Sequence, residues 1–561
     1  MSLDVGSDQT PTSIPLRGTL RLDRISLVLG VAGDGPTSIL GERALRERLG
    51  VRLDEFTKRF RATPLVVFSA LEPGPETIAA ELAIERGIPV IACLPDSPDA
   101  AEARLPGAER ERFRRALAGC TRIDRVAGDG DVAARAAHVA LFIAYHSHLV
   151  IACSTQGHGS SRAAAVVNVR MQGVFPHAID FSGIPYLPDV GPVFRVIVPA
   201  GDAPAQPADE RWLFPVRFHR DRQSQRDFWA SLESLDRYNR DISGVRRPEG
   251  FAPGIEGLRQ RTSVAANDLQ HKTLAALIGL YLAALLAAAV QVLAGSRGEL
   301  LKLGTLAIAF AFYWLTRRRD VENRYQDYRA LSEGLRVQSV WSGIGLPVTD
   351  VEHSYLRMQQ SELQWLRLAL RYASLLAGAN EETKGSRDLP AWQRWVRQQW
   401  RYYYYAARRE AATLRGLRLA TRATFAIAGL VTLLAAAVLF VLPHAPLANL
   451  PWLHPLLVWS EIDRNRATLG GLATVPIAMA SAVAILVGHY CDKRGFELNV
   501  KRYERMFIVF DRAIRELHLI ATKRAPGDAH KVVRELGEAA LVEHADWLLT
   551  RRERPWSFVG S

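Results

Sequence analysis

Residues 273–294 read TLAALIGLYLAALLAAAVQVLA, 22 residues without a formal charge. At about 1.5 Å of rise per residue, a helix of that length crosses a hydrocarbon core about 30 Å thick. The turn Gly295-Ser296-Arg297-Gly298 then sends the chain back through a shorter apolar run at 300–315, where Lys302 sits near one end and can snorkel to the headgroups. Two helices joined this tightly form a membrane hairpin, and the rest of the chain has to be fitted around it. A second hairpin follows. Residues 423–442 are apolar for 20 residues, a loop carrying Trp452 and Trp459 suits an interfacial segment, and 469–490 return. Lys272, Arg317, Arg318, Arg319, Arg408, Arg409, Arg415, Arg418, Lys493 and Arg494 flank one end of these spans. Under the positive-inside rule that end is cytoplasmic, so both termini and the central helices are expected in the cytoplasm of a multi-pass protein of the inner (cytoplasmic) membrane. Arg319, Glu322, Tyr328 and Leu331 after the second span recur as Arg494, Glu497, Tyr503 and Met506 after the fourth, which reads as a tandem repeat.

A chain of 561 residues is too long for one core, so two or three domains are expected. Its hydrophobic fraction of 48% is an average over a few apolar runs and an Arg-rich remainder. The net charge of +13 suits a partner bearing phosphates, a nucleotide or an anionic leaflet, besides positive-inside anchoring. Cys93, Cys120, Cys153 and Cys491 form no CxxC pair and read as reduced thiols, giving neither a disulfide frame nor a zinc site. Residues 1–19 are polar and lack an apolar h-region, so they read as a disordered leader and not as a cleaved signal peptide.

Between residues 20 and 200, short apolar runs alternate with helical patterns. Strands are expected at 24–30, 64–69, 89–94, 148–154 and 193–198, and helices at 44–60, 77–86, 110–117, 132–145 and 163–172. That alternation predicts an α/β Rossmann-like domain with a mainly parallel sheet, followed by an all-α membrane domain with four transmembrane helices in two hairpins and cytoplasmic helices. The expected divisions are a linker with lead-in helices at 201–270, including an exposed helix at 227–241. They continue with a hairpin at 271–317, a cytoplasmic helical region at 318–415, a second hairpin at 416–492 and C-terminal helices at 493–561. In the central region, Thr349 and Glu352 form a capping-box pattern opening a helix to Ala377, and Tyr402 to Tyr405 read as packing or interfacial anchoring.

In a doubly wound sheet, ligands bind outside the carboxyl ends of the strands, where helix N-termini offer N–H groups to anions. Three loops qualify: 30–35 (GVAGDG), 69–76 (SALEPGPE) and 154–162 (STQGHGSSR). The candidate ligand-binding residues are Gly30, Gly33, Asp34, Gly35, Ser69, Gly74, Glu76, Ser154, Gly157, Gly159, Ser160, Ser161 and Arg162. Small residues let the backbone approach a phosphate, the serines donate hydrogen bonds, and Arg162 adds positive charge.

These loops, with SALEPGPETIAAELAIERGIPVIACLP and IAYHSHLVIACSTQGHGSSRAAAVV, resemble bacterial SLOG domains over about residues 20–200. That superfamily of Rossmann-like ligand-binding domains includes cytokinin-activating LOG phosphoribohydrolases, DNA-processing protein A and the N-terminal region of TRPM channels. Its most similar members usually read GVTGHR in the first loop, so Ala32, Asp34 and Gly35 depart from the pattern. So do His148, where an Asp is usual, and Gly159-Ser160-Ser161, where a GGT-like turn is usual. The membrane part, above all YERMFIVFDRAIREL and LGEAALVEHADWLLTRRERP, resembles SLATT-type modules of bacterial conflict systems. The resemblance implies a sensor of a nucleotide-derived signal, a second messenger or ADP-ribose-like ligand, coupled to a pore-forming or membrane-disrupting effector in antiphage defence. A homo-oligomer and a nucleotide cyclase encoded nearby would accompany it.

A membrane-tethered nucleotide or nucleoside-phosphate hydrolase, LOG-like or TIR-like, is the alternative. LOG-type hydrolases use a PGGxGTxxE motif, and the matching stretch 159–166 has no carboxylate, so no catalytic residue is assigned. Glu72, Glu76 and Glu81 near the second loop read as surface acids of a helix. His138, His146, His148 and His158 lack an ordered ligand spacing, so no metal and no cofactor is expected. GHGSS is not a G-x-S-x-G elbow. The spans carry few polar groups, Gln291, Thr432, Thr474 and Ser481 among them, which argues against a proton-coupled transporter. Four spans per protomer need an oligomer to line a pore, and the remaining possibility is that they only anchor the sensor.

Overall fold

A computed structural model describes residues 12–15, 23–33, 39–126, 131–155, 162–172, 191–198, 210–215, 222–245, 254–293, 299–318, 320–346, 348, 351–352, 355, 363–378, 389–438, 455, 458, 463–523 and 528–552. The chain divides into two compact units. Unit 1 comprises Met1–Ala266, Asp327–Trp392 and Val533–Ala545, and unit 2 comprises Asn267–Gln326, Gln393–Val532 and Asp546–Ser561.

Unit 1 is built on eight described strands: β1 (Thr12–Pro15), β2 (Leu27–Gly33), β3 (Leu65–Ser69), β4 (Val90–Leu94), β5 (Arg122–Arg125), β6 (Leu149–Thr155), β7 (Val193–Val198) and β8 (Glu210–Leu213). They form one sheet in the order β1-β5-β4-β3-β2-β6-β7-β8. The six inner strands are parallel, and β1 and β8 close the two sides antiparallel. The predicted mainly parallel sheet is therefore present. β1, β5 and β8 had no counterpart among the expected strands.

Parallel strands are buried on both faces, and β2 illustrates how. Leu27, Leu29 and Val31 join a core with Leu49, Phe56 and Ile78. That core belongs to the layer of α1 (Ile39–Arg59), α2 (Pro75–Glu85) and α4 (Gly107–Gly119), with the short α3 (Pro98–Ala103) between the last two. Ala32 faces the other way with Val150 and Ala152, under α5 (Val132–His146) and α6 (Arg162–Gln172). The chain runs outward from β2 through β3 and β4 to β5, then α5 carries it back to β6 on the other side of β2. The strand order thus reverses between β2 and β6, which makes that pair the topological switch point.

The amino-terminal edge of the sheet is covered by two helices from later in the chain. One is α7 (Arg222–Ser243), whose Phe228, Leu232, Leu235, Tyr238 and Ile242 are buried at helical spacing. The exposed helix expected at 227–241 is therefore a core element, because its apolar stripe has the sheet edge to cover. Asn239 pairs with the backbone of Ile25 on both sides, accepting from its N–H at 3.0 Å and donating to its carbonyl at 2.8 Å.

The other covering helix comes from residues expected to lie in a separate cytoplasmic region. After α8 (Gly254–Leu293) and α9 (Glu299–Arg318), the chain re-enters unit 1 at Asp327 within α10 (Val321–Ile344) and continues there to α11 (Gln364–Gly378). Successive turns of α11 meet β6, β2 and β5. The carbonyl of Leu368 lies 3.0 Å from His148 Nε2, Tyr372 Oη lies 3.1 Å from Ser26 Oγ, and the Leu375 carbonyl accepts from Arg122 at 2.9 Å. His148 Nδ1 accepts from the Val28 N–H at 3.1 Å, so its proton sits on Nε2 and is donated to Leu368. Burial and the nearby Arg371 and Arg170 guanidinium groups push its pKa down to about 3, and the ring is neutral.

Arg371 itself is 1% exposed, donates to the Tyr145 carbonyl at 3.1 Å and pairs with Glu352 at 3.3 Å. Tyr145 bonds the same Glu352 oxygen and lies under the Arg371 guanidinium. Glu352 is consequently a buried partner of α11 and α5, and α11 begins at Gln364, whereas the capping-box pattern placed the start at Thr349, a residue outside those described. Arg170 of α6 is fully buried and donates to the carbonyls of Ala144, Ser147, His148 and Pro192, meeting the negative end of the α5 dipole.

The remaining segment of unit 1, 533–545, belongs to the last described helix, α15 (Ala529–Arg552), which follows α12 (Leu389–Ala436), α13 (Asp463–Arg494) and α14 (Phe496–Ala521). Gly537 admits the buried Trp341, since a Cβ there would come within 2.6 Å of the indole. His544 Nδ1 lies 2.8 Å from Tyr355 Oη. Glu333 pairs with Arg329 at 2.9 Å and Arg336 at 2.7 Å. Burial opposes its charge, but Arg336, Arg329, His544 and Arg259 outweigh it and hold the carboxyl down to about 2.

Unit 2 contains helices and no strand among its described residues. Three stretches, Gly254–Val290, Gln393–Ala436 and Thr474–Ala521, are long and apolar enough to cross a membrane, and only 6%, 11% and 6% of their most apolar windows are buried. Leu282, Leu286, Ile427, Leu430, Leu433 and Ile485 stand exposed along them. The lead-in helix expected before the first span and the span itself are one helix, α8, and the helix carrying Trp395 runs unbroken into the third expected span as α12. The Tyr402–Tyr405 run packs in part against α14: the rings of Tyr403 and Phe510 and of Tyr404 and Phe507 meet at a tilt, and Tyr402 meets Tyr503 edge-on. A left-handed residue separates α9 from α10, Asp320 at φ 48°, and another separates α13 from α14, Gly495 at φ 63°. The two lie at the offset of the sequence echo, so both halves turn at the same repeat position.

Candidate functional site

The carboxyl ends of β2, β3 and β6 form the edge where a doubly wound sheet takes its ligand. β2 extends to Gly33, so Gly30 lies inside the strand and not in the loop expected to begin there. A Cβ at Gly30 would meet Ser147 Oγ at 2.2 Å and Ile143 at 2.8 Å. Its smallness lets α5 approach the sheet. Gly33 is at the edge itself: a Cβ there would lie 2.5 Å from Pro75. Asp34 and Gly35 fall outside the described residues.

The loop after β3 forms a tightly bonded wall. Ser69 Oγ accepts from the Leu71 N–H at 3.0 Å and donates to the Glu76 carbonyl at 3.0 Å. Thr77 Oγ1 lies 2.8 Å from the Glu72 carbonyl and 3.1 Å from that of Leu71. Leu71 at φ 56° and Gly74 at φ 100° make the two sharp bends that aim α2 at the edge, with Pro75 opening the helix. Glu76 is 2% exposed and accepts from the Gly33 N–H at 3.2 Å. It is a buried carboxylate joining the ends of two loops, not the surface acid that its helical setting suggested. Glu81 pairs with Arg46 at 2.6 Å and Arg112 at 2.7 Å, which assigns it to the surface of the α1–α2–α4 layer.

On the other side of the switch point, Cys153 stands beside Gly33 in the β2–β6 register. The next residue, Ser154, is half-buried, and its hydroxyl oxygen is fully enclosed without a hydrogen-bond partner among the described residues. Strand alternation puts it on the α5–α6 face after Val150 and Ala152. The backbone re-emerges at Arg162 as the first residue of α6. Gly157, Gly159, Ser160 and Ser161 lie between these points, outside the described residues.

Of the expected site residues, the fold therefore brings together Gly33, Ser69, Gly74 and Glu76 on one side of the switch point and Ser154 on the other, and it moves Gly30 into the packing. Pro75 was missed. A Pro following Gly at a helix start was the available signal. All four cysteines are free. Burial raises the Cys93 thiol well above its ordinary value and pushes Cys120 up to about 12, so neither is a nucleophile at neutral pH. Among the described residues no group of three or more His, Cys, Asp and Glu side chains is placed to hold a metal. No family model, curated protein or solved structure matches the chain.

Proposed function

We propose that the protein is a membrane-bound sensor–effector in which the switch-point crevice binds a nucleotide-derived signal and the apolar helices oligomerise as a pore or membrane-disrupting effector. The observation that carries the sensor half is the enclosed Ser154 hydroxyl at the carboxyl edge, which has no hydrogen-bond partner among the described residues. An uncompensated buried hydroxyl costs about 1–3 kcal/mol, a cost that a bound acceptor such as a phosphate oxygen removes. The effector half rests on apolar helices that unit 2 leaves uncovered. In this reading α9 supplies the fourth span, the four spans form two hairpins, and both termini are cytoplasmic in the inner membrane. The resemblance to SLOG and SLATT proteins supports a role in bacterial defence. Opening requires the ligand to bind one state more tightly than the other. A swing from 1:99 to 99:1 takes a ratio of about 10⁴.

One observation favours a second reading, a tethered nucleotide hydrolase: the buried carboxylate of Glu76 at the same edge. A single experiment separates the two. The full chain in dye-loaded proteoliposomes is given cyclic oligonucleotides, ADP-ribose or NAD, while ligand mass is followed. Dye release with the ligand intact, lost in Ser154→Ala, is the expected result. Turnover without release, lost in Glu76→Gln, overturns it in favour of the hydrolase, and neither activity reduces the spans to an anchor.

A further inference from the structure

A second crevice lies wholly within unit 2, between α12, the end of α13 and the start of α14, with a volume of about 680 Å³. Its walls change character along their length. One end is made by Ala484, Val487 and Gly488, inside the apolar part of α13. A Cβ at Gly488 would meet nothing within 4 Å, so the wall is recessed there. The other end carries Arg418, Arg422 and Lys501 with Asp492 and Glu497.

Arg418 is ion-paired with Glu497. Arg422 and Lys501 are exposed and have no ion-pair partner among the described residues. Three cations against two carboxylates leave this end with a charge of +1. Arg422 immediately precedes the apolar run of α12, and Leu419 and Ile485 beside the crevice are 67% and 57% exposed. A soluble anion would use the charged end alone. An amphiphile with one phosphodiester uses both, setting its phosphate on the free cations and its acyl chains along the uncovered apolar helices. The volume falls within the usual range of about 300–1,000 Å³ for small-molecule sites.

We propose that this crevice binds the headgroup phosphate of an anionic phospholipid through Arg422 and Lys501, with Gly488 making room for the lipid backbone. The proposal rests on the apolar helices lying in a membrane and is independent of the nucleotide ligand and of the pore.

The test uses the full chain purified in neutral detergent and mixed with phosphatidylglycerol, phosphatidylcholine, or inorganic phosphate, with retained lipid counted by native mass spectrometry. Phosphatidylglycerol is expected to be retained about tenfold over phosphatidylcholine, an advantage of about 1.4 kcal/mol. The pair Arg422→Gln and Lys501→Gln should erase that preference. Removing equal charge elsewhere, by Arg512→Gln and Lys531→Gln, should not. Gly488→Leu keeps every charge and fills the recess, so it should also erase the preference in a chain that melts at the same temperature. Equal retention of the two lipids overturns the proposal, as does a preference unchanged in both crevice variants. Displacement of phosphatidylglycerol by millimolar inorganic phosphate overturns it in favour of a free-anion site.

Discussion

The two edges of the unit 1 sheet are made of different chemistry. At the amino-terminal edge, charged and polar side chains are buried and paired: His148, Arg170, Arg371 and Glu352 are 0–2% exposed and Arg122 is 6% exposed, and each is bonded to α5, α11 or a strand end. At the carboxyl-terminal edge the side chains are small, the backbone comes close, and the Ser154 hydroxyl is enclosed without a partner. At the first edge every one of these side chains is bonded within the protein, although single buried atoms such as Arg122 Nε, Arg170 Nε and Glu352 Oε2 are left over, whereas at the second the whole Ser154 hydroxyl has no partner among the described residues. Buried polar groups that are fully bonded fix a structure, while an unsatisfied one is a place for something else to bind. The division contrasts a densely bonded amino edge with a carboxyl edge that fits the proposed site of recognition.

The contrast can be broken experimentally. Arg371→Ala strips Glu352 of its buried partner and should cost about 3–5 kcal/mol, read from denaturant unfolding of the full chain in detergent. An unchanged midpoint, with nucleotide binding lost, would reverse the roles of the edges. Gly33→Ala places a methyl group against Pro75 and should cost about 1–3 kcal/mol by overpacking, with ligand binding falling at least about tenfold in protein that still folds. Retained binding would move the ligand away from β2.

Acid should act on the amino edge. His148 has a folded pKa of about 3, below its ordinary 6.5, so its contribution is complete above pH 6.5 and is lost as pH falls from there toward 3. Stability should drop by about 1.4 kcal/mol per unit across that window once below pH 6.5, and a His148→Asn chain should lack this slope. Measuring between pH 6.5 and 5.5 keeps Glu333 out of the comparison, since its stabilisation is lost only as pH falls from about 4.5 toward 2. The smallest loss of stability belongs to Ser154→Ala, which removes a hydroxyl without a partner among the described residues and should leave stability unchanged or raise it by up to about 1–3 kcal/mol while weakening ligand binding. A large loss of stability there would show that the hydroxyl is bonded inside the protein.

The strand–helix alternation of unit 1 was legible because β2, β3, β4, β6 and β7 are apolar runs. β5 was not, because it reads RIDR: its Arg122 and Asp124 are buried as a mutual pair, with Arg122 also reaching the Leu375 carbonyl, and no apolar pattern records that. The apolar periodicity of α11 marked a helix, yet nothing local marks Arg371 as a residue that joins α11 to Tyr145, some 226 positions earlier. At the candidate site, the loops followed from glycines after strands. Glu76 was among the candidates, but its burial was not legible, because its partner, Gly33, is 43 residues away and helical surface acids look the same in sequence. The repeat offset, by contrast, was readable, and the turns at Asp320 and Gly495 give it a backbone counterpart.

Unit 1 takes its parts from three separated stretches of chain, the last of them Val533–Ala545. During synthesis the sheet leaves the ribosome first, every candidate span follows, and only then does the segment bearing Gly537 and His544 arrive to receive Trp341 and Tyr355. A nascent chain therefore has all its candidate spans made while unit 1 is still unfinished. The order of synthesis completes unit 1 only after every apolar helix has been made, and premature termination anywhere before residue 533 leaves a product that lacks a component of unit 1.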